Sequence, residues 1–62
     1  NPFPAVVMKE VIIKLKLVAK NSRVTLIYNN PECHDEVVKG GVFHQTAVFP
    51  DKWGNGIKIY KN

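Results

Sequence analysis

The residues best suited to chemistry lie in one short segment, Cys33-His34-Asp35, with His44 some ten residues further on. Thiol, imidazole and carboxylate groups bind zinc, and a cysteine beside a histidine is also the pairing of a nucleophile with its base. Structural zinc sites usually draw four ligands from separated pairs, whereas three adjacent side chains diverge. A chain this short also has little room for a pocket that shields a reaction from water. We therefore predict a polar loop here, with no metal ligand and no catalytic residue.

Two glycine-rich segments, Gly40-Gly41 and Gly54-Asn55-Gly56, could in principle hold phosphate groups. Neither fits the spacing of a nucleotide-binding loop, and neither lies between a predicted strand and a predicted helix. Glycine tolerates the positive φ of tight hairpin turns, which is the simpler use of both segments. The sequence thus predicts no cofactor and no enzymatic activity.

Basic and aromatic residues interleave in the last third of the chain. Aromatic faces on a β-surface stack on bases, and nearby lysines contact the phosphate backbone of single-stranded nucleic acids. Trp53 lies in a Gly/Asn loop, where it is well placed for a partner; the alternative is that it folds back over a small core. Together with lysines of the first predicted strand, the residues predicted to contact nucleic acid or another partner are Lys14, Lys16, Lys20, Lys52, Trp53, Lys58 and Tyr60.

The element that must carry the first lysines, residues 5–20, is ambiguous. Read with period two, alternate residues from Val11 to Ala19 share one face, and Lys14, Lys16 and Lys20 lie on the other. Read with period 3.6, apolar residues from Val7 to Ala19 form a helical stripe. The many β-branched residues and the absence of a Ser, Thr, Asp or Asn cap favour a long strand. Its lysine row would either contact phosphates or protect an edge from aggregation.

Further strands are predicted from alternating patterns along the rest of the chain. They cover 23–28, 42–49 and 57–60, with a possible short strand at 36–39, and turns or polar loops lie between them. Residues 1–4, Asn-Pro-Phe-Pro, are predicted to form an extended arm. The predicted fold is all-β: a small antiparallel meander, a barrel or a half-sandwich. If residues 5–20 are helical, it becomes α+β.

Length and composition limit the remaining possibilities. The chain has 62 residues and a net charge of +4, and 45% of its residues are hydrophobic, which predicts one small folded domain over 1–62. So small a core is marginal, and the single cysteine allows no internal disulfide, so we expect the chain to self-associate. No apolar run is long enough to span a membrane, and the cellular compartment is left undetermined.

Three functional hypotheses follow. The first is a non-enzymatic basic β domain that binds nucleic acid through its lysine and aromatic surface. The second is a protein-interaction or homo-oligomeric assembly module, suggested by the long apolar first segment and the thin core. The third is a toxin-like or inhibitory polypeptide cut from a precursor, suggested only by the absence of a starting methionine.

Overall fold

A computed structural model describes residues 3–62, apart from the side chain of Asn55. The described chain forms helix α1 (Ala5–Val18), strand β1 (Thr25–Asn29), helix α2 (His34–Val38), a 3₁₀ turn (Lys39–Gly41), and strands β2 (His44–Asp51) and β3 (Gly54–Lys61). The strands form one antiparallel sheet in the order β1-β3-β2. The domain is only 16 Å deep along its shortest axis, which matches one helical layer on one sheet.

The prediction of an all-β fold is wrong, and the α+β alternative holds. Residues 5–18, predicted as a long strand, form α1 without any side-chain cap at Pro4. Helical periodicity outweighs β-branched composition here because it brings Met8 and Ile12 into the core on one face, with Leu15 half-buried beside them. The possible short strand at 36–39 is also wrong, since that segment lies in α2 and the turn that follows it.

The other predicted strands exist, with shifted ends. Residues 23–28 become Thr25–Asn29, 42–49 become His44–Asp51, and 57–60 extend to Gly54–Lys61. The predicted loop at 50–56 shrinks to a tight turn, in which Asp51 pairs with Gly54. Part of the predicted arm at 1–4 lies outside the described residues; of the rest, Phe3 is exposed and Pro4 precedes α1.

Gly56 lets the β2–β3 hairpin close tightly. Its φ is 67°, and a Cβ atom at this position would overlap the carbonyl oxygen of Phe49. Its own carbonyl oxygen accepts a 2.6 Å hydrogen bond from the backbone N–H of Asn30, a residue that also has a positive φ. Only glycine combines that backbone conformation with so close an approach.

The core lies between the helices and one face of the sheet, which we call the inner face. The buried apolar residues include Val37 of α2, Tyr28 of β1, Phe43 before β2 and Tyr60 of β3, together with the two buried residues of α1. Because cross-strand partners share a face, the row Leu26–Tyr60–Gln45 belongs to the inner face.

The side chain of the last residue, Asn62, joins both layers. Its Nδ2 donates to the carbonyl oxygens of Ala19 (2.9 Å) and Ser22 (2.8 Å), and its Oδ1 accepts from the N–H of Val24 (2.8 Å). These bonds tie the end of α1, the following turn and the start of β1 to the end of β3. One amide thereby satisfies backbone groups that a turn would otherwise leave to water.

Candidate functional site: the outer face of the sheet

The predicted lysine row does not form, because its residues lie on a helix. Lys14 and Lys20 are exposed. Lys16 is turned inward, and its ammonium group donates to the carbonyl oxygens of Glu36 (2.6 Å) and Lys39 (3.1 Å) at the end of α2. A cation at a helix C-terminus satisfies carbonyls that lack intrahelical partners. Lys16 is thus engaged in holding α2 to α1.

Tyr60 does not offer a stacking surface, since its side chain is 0% exposed. Its hydroxyl lies 2.6 Å from Nδ1 of His34, and the two rings are tilted at 42°. Burial, with a smaller contribution from Tyr28, raises the pKa of Tyr60 to about 12. This residue stabilises the junction of α2 and β3, contrary to its predicted contact role.

Lys58 and Lys52, the other predicted lysine contacts, lie on β3 and in the β2–β3 turn, and not on α1. Lys58 is half-buried on the inner face between Tyr28 and Val48 of the neighbouring strands. Lys52 is at the tip of the β2–β3 hairpin, with its Nζ 5.2 Å from the ring centroid of Trp53.

Trp53 is the most exposed of the large apolar side chains described, at 86%, so it does not cover the core. Its backbone N–H donates to Oδ1 of Asp51 at 2.8 Å, which fixes the turn. It borders a shallow groove of about 250 Å³, whose other lining residues are Asn29, Asn30, Asp51 and Gly54.

The segment around Cys33 is structural. The Cys33 side chain is buried, and its backbone N–H donates to the Tyr28 hydroxyl at 3.2 Å. His34 begins α2 and contacts Tyr60, so the polar loop predicted to run to Asp35 ends two residues earlier, at Cys33. Within residues 3–62, no three histidine, cysteine or acidic side chains lie close enough together to hold a metal ion.

The most distinctive surface is the face of the sheet turned away from the helices, which we call the outer face. One row crosses all three strands as Ile27–Ile59–Ala47, and the next row contains Ile57 opposite Phe49. Ile27 is 66% exposed and Phe49 is 59% exposed. Five apolar side chains thus lie side by side on this face, of which Ile59 and Ala47 are half-buried and the other three are exposed.

The positive charge of the outer face lies at one end of it. The row that ends it is Thr25–Lys61–His44, so Lys61 lies at the centre of one end of the face, with His44 beside it. The one acidic residue described in the three paired strands, Asp51, lies at the opposite end of β2, at the hairpin turn. The surface therefore combines an apolar centre with a cationic end.

The sequence carried a signal for this face that the predicted contacts did not use. Ile57 and Ile59 alternate onto one side of β3, while β1 is apolar on both sides, with Ile27 between Leu26 and Tyr28. A strand that is apolar on both faces is typical of a sheet covered on both sides. Only the structure shows that the helices cover one of the two.

No helix among the described residues is long and apolar enough to cross a membrane. Comparison with known proteins gives no relative: no family model matches the chain, and no curated protein or solved structure matches it significantly. The geometry of the surfaces is therefore the basis for any functional conclusion.

Proposed function

We propose that this domain is a protein-interaction module whose outer face binds an acidic amphipathic helix of a partner protein. The observation that carries the proposal is the apolar row Ile27–Ile59–Ala47, in which Ile27 is exposed and the other two are half-buried. The exposed side chains of Phe49 and Ile57 lie beside it. Contiguous exposed apolar patches on small soluble domains are typical of interaction sites. A partner would complete a third layer on a sheet that has a helical layer on one side only.

The shape of the outer face favours a helix as the bound element. Three strands about 4.8 Å apart make a surface some 10–14 Å wide, which matches the roughly 10 Å diameter of a single helix. The inner face of the same sheet is already covered by α1, which shows that a helix packs well on a sheet of this width.

The charge of the face favours an acidic partner. Lys61 lies at its end, and the chain carries a net charge of +4. Complementary charges at the edge of an apolar contact speed association and exclude partners of like charge. The chain's own α1 carries Lys9, Lys14 and Lys16 against Glu10, so a second copy is a poorer match than an acidic helix.

The aliphatic composition favours protein over nucleic acid. A base-stacking surface needs aromatic rings, whereas the central outer row contains isoleucine and alanine, and Tyr60 is buried. The Lys52–Trp53 pair at the hairpin tip is the one predicted contact pair that keeps an exposed aromatic ring beside a cation.

The test uses two labelled synthetic helical peptides that share a leucine stripe, one flanked by glutamates and the other by lysines. Fluorescence anisotropy at low salt should detect binding of the glutamate peptide only. Ile27→Glu should weaken it at least tenfold, roughly the loss of 1.4 kcal/mol. Val48→Glu is the control, because Val48 is also exposed, at 45%, but lies on the other face of the sheet.

Equal binding by the wild type and the Ile27→Glu variant would overturn the proposal. Two further measurements distinguish the proposal from the nucleic-acid and self-assembly hypotheses. A single-stranded oligonucleotide that binds and is lost on Trp53→Ala would favour nucleic acid recognition. A dimer in sedimentation that Ile27→Glu dissociates would place a second copy of the chain on the outer face.

A further inference from the structure

The helix α1 has a second apolar side, turned away from the core. Val6, Ile13 and Leu17 are separated by seven and four residues, so they lie in line along one side of the helix. They are 70%, 54% and 56% exposed. The stripe runs for about 17 Å along the helix axis. It points away from the side on which Met8 and Ile12 enter the core.

Lysines flank this stripe. The helical period places Lys9 on one side of it and Lys14 on the other, while Lys20 lies in the turn that follows the helix; all three are exposed. Glu10 is the one acidic residue of the helix and lies near the middle of the same side. Lysine side chains have long apolar stems that let the charged ends reach past neighbouring apolar residues.

We propose that the outward side of α1 binds the surface of an anionic phospholipid bilayer. A helix that lies along the interface inserts apolar side chains at the boundary of the headgroups and acyl chains, while flanking lysines contact the negative headgroups. Val6, Ile13 and Leu17 supply the first requirement, and Lys9, Lys14 and Lys20 the second.

The arrangement fits a bilayer better than it fits a nucleic acid. Phosphate contacts need cations but gain nothing from three exposed aliphatic side chains between them. The apolar stripe and the lysines also lie on a convex helix surface, which can rest on a plane. The surface is separate from the outer face of the sheet, because the two lie on opposite sides of a two-layer domain.

Co-sedimentation with vesicles tests the inference. Phosphatidylcholine vesicles that contain about one-third phosphatidylglycerol should bind the intact chain at least tenfold better than vesicles of phosphatidylcholine alone. Binding should fall as salt is raised, because surface potentials are screened. Lys14→Glu and Ile13→Asp should each reduce binding about fivefold or more, since one reverses a flanking charge and the other places a charge in the stripe.

Control variants separate a loss of vesicle binding from a loss of folding. Val48→Glu introduces a charge at an exposed valine outside both surfaces and should leave binding unchanged. Circular dichroism should show that each variant keeps its helix, and Leu17→Gln provides a second, milder change in the stripe. Equal binding to neutral and anionic vesicles, or unchanged binding by Ile13→Asp and Leu17→Gln, would overturn the inference. Loss of binding in inorganic phosphate but not in chloride of the same ionic strength would do the same, because it indicates a site for the free anion and not a bilayer contact.

Discussion

The inner and outer faces of the sheet are both apolar, yet they differ sharply in burial. Tyr60 and Phe43 on the inner side are 0% and 1% exposed, whereas Ile27 and Phe49 on the outer face are 66% and 59% exposed. Adjacent residues of the same strands supply both faces. The comparison shows that apolar character alone does not make a core: the inner face stabilises the fold, while the outer face is left available for a partner.

The largest expected effect comes from truncating the same residue type on each side. Phe43→Ala removes a fully buried ring and should cost about 3–5 kcal/mol of unfolding free energy, a large part of the stability of a small domain. Phe49→Ala should cost less than about 1 kcal/mol, because its ring is already largely in water. Urea denaturation of the two variants measures the contrast. Similar losses would mean that the outer face is covered in solution.

The next prediction concerns the pH dependence of stability that Tyr60, on the inner face, produces. The pKa of Tyr60 is raised from 10.0 to about 12, so the folded protein holds this proton more tightly than the unfolded chain does. The associated stability is fully present below about pH 10 and is lost as pH rises towards 12, by roughly 2 kcal/mol. Denaturation midpoints across this range should fall for the wild type. The Tyr60→Phe variant, which has no phenol to ionise at this position, should lose less; an identical fall would contradict the assignment.

Removing the side chain that closes the helical layer against the sheet should have a moderate effect. Asn62→Ala deletes the three hydrogen bonds to Ala19, Ser22 and Val24 and should cost about 1–2 kcal/mol. Asn21→Ala, in the same exposed turn, should change stability by no more than about 0.5 kcal/mol. Thermal melts of both variants provide the measurement. Equal shifts would show that the Asn62 bonds are not formed in solution.

The smallest effect on stability should come from the substitution with the largest effect on binding. Ile27→Glu places a charge where the side chain is already exposed, so unfolding free energy should change by about 0.5 kcal/mol or less. It would nevertheless abolish the proposed docking surface. A large destabilisation in denaturant would mean that the outer face contributes to the core of an assembled form.

The sequence predicts the local elements of this fold better than their assembly. Strand β1 and the Ile57–Tyr60 part of β3 follow from their alternating patterns, because short strands with clear alternation are set locally. Residues 5–18 were predicted wrongly because β-branched composition is a weak preference that the packing of Met8 and Ile12 overrides. Local patterns cannot supply that tertiary contact.

The candidate site was likewise only partly predictable, because local patterns do not determine tertiary contacts. Ile57 and Ile59 could be placed on one face from sequence, but whether that face is buried depends on which side the helices cover. The contact of Tyr60 with His34 joins residues far apart in the chain, so the burial of this tyrosine was not predictable from its position beside Lys58 and Lys61. The lysines interleaved with it suggested exposure, while tertiary packing places it in the core.

The strand order β1-β3-β2 also has a consequence for folding. The central strand is the last in the chain, so β1 has no partner in the sheet until residues 54–61 are available, whereas β2 and β3 form a local hairpin. Local contacts form quickly and distant ones slowly, because closing a long loop costs entropy. We therefore expect the hairpin to form first and β1, together with α1, to dock in the rate-limiting step. Nascent chains that lack residues 54–61 would leave the inner apolar face without its central strand.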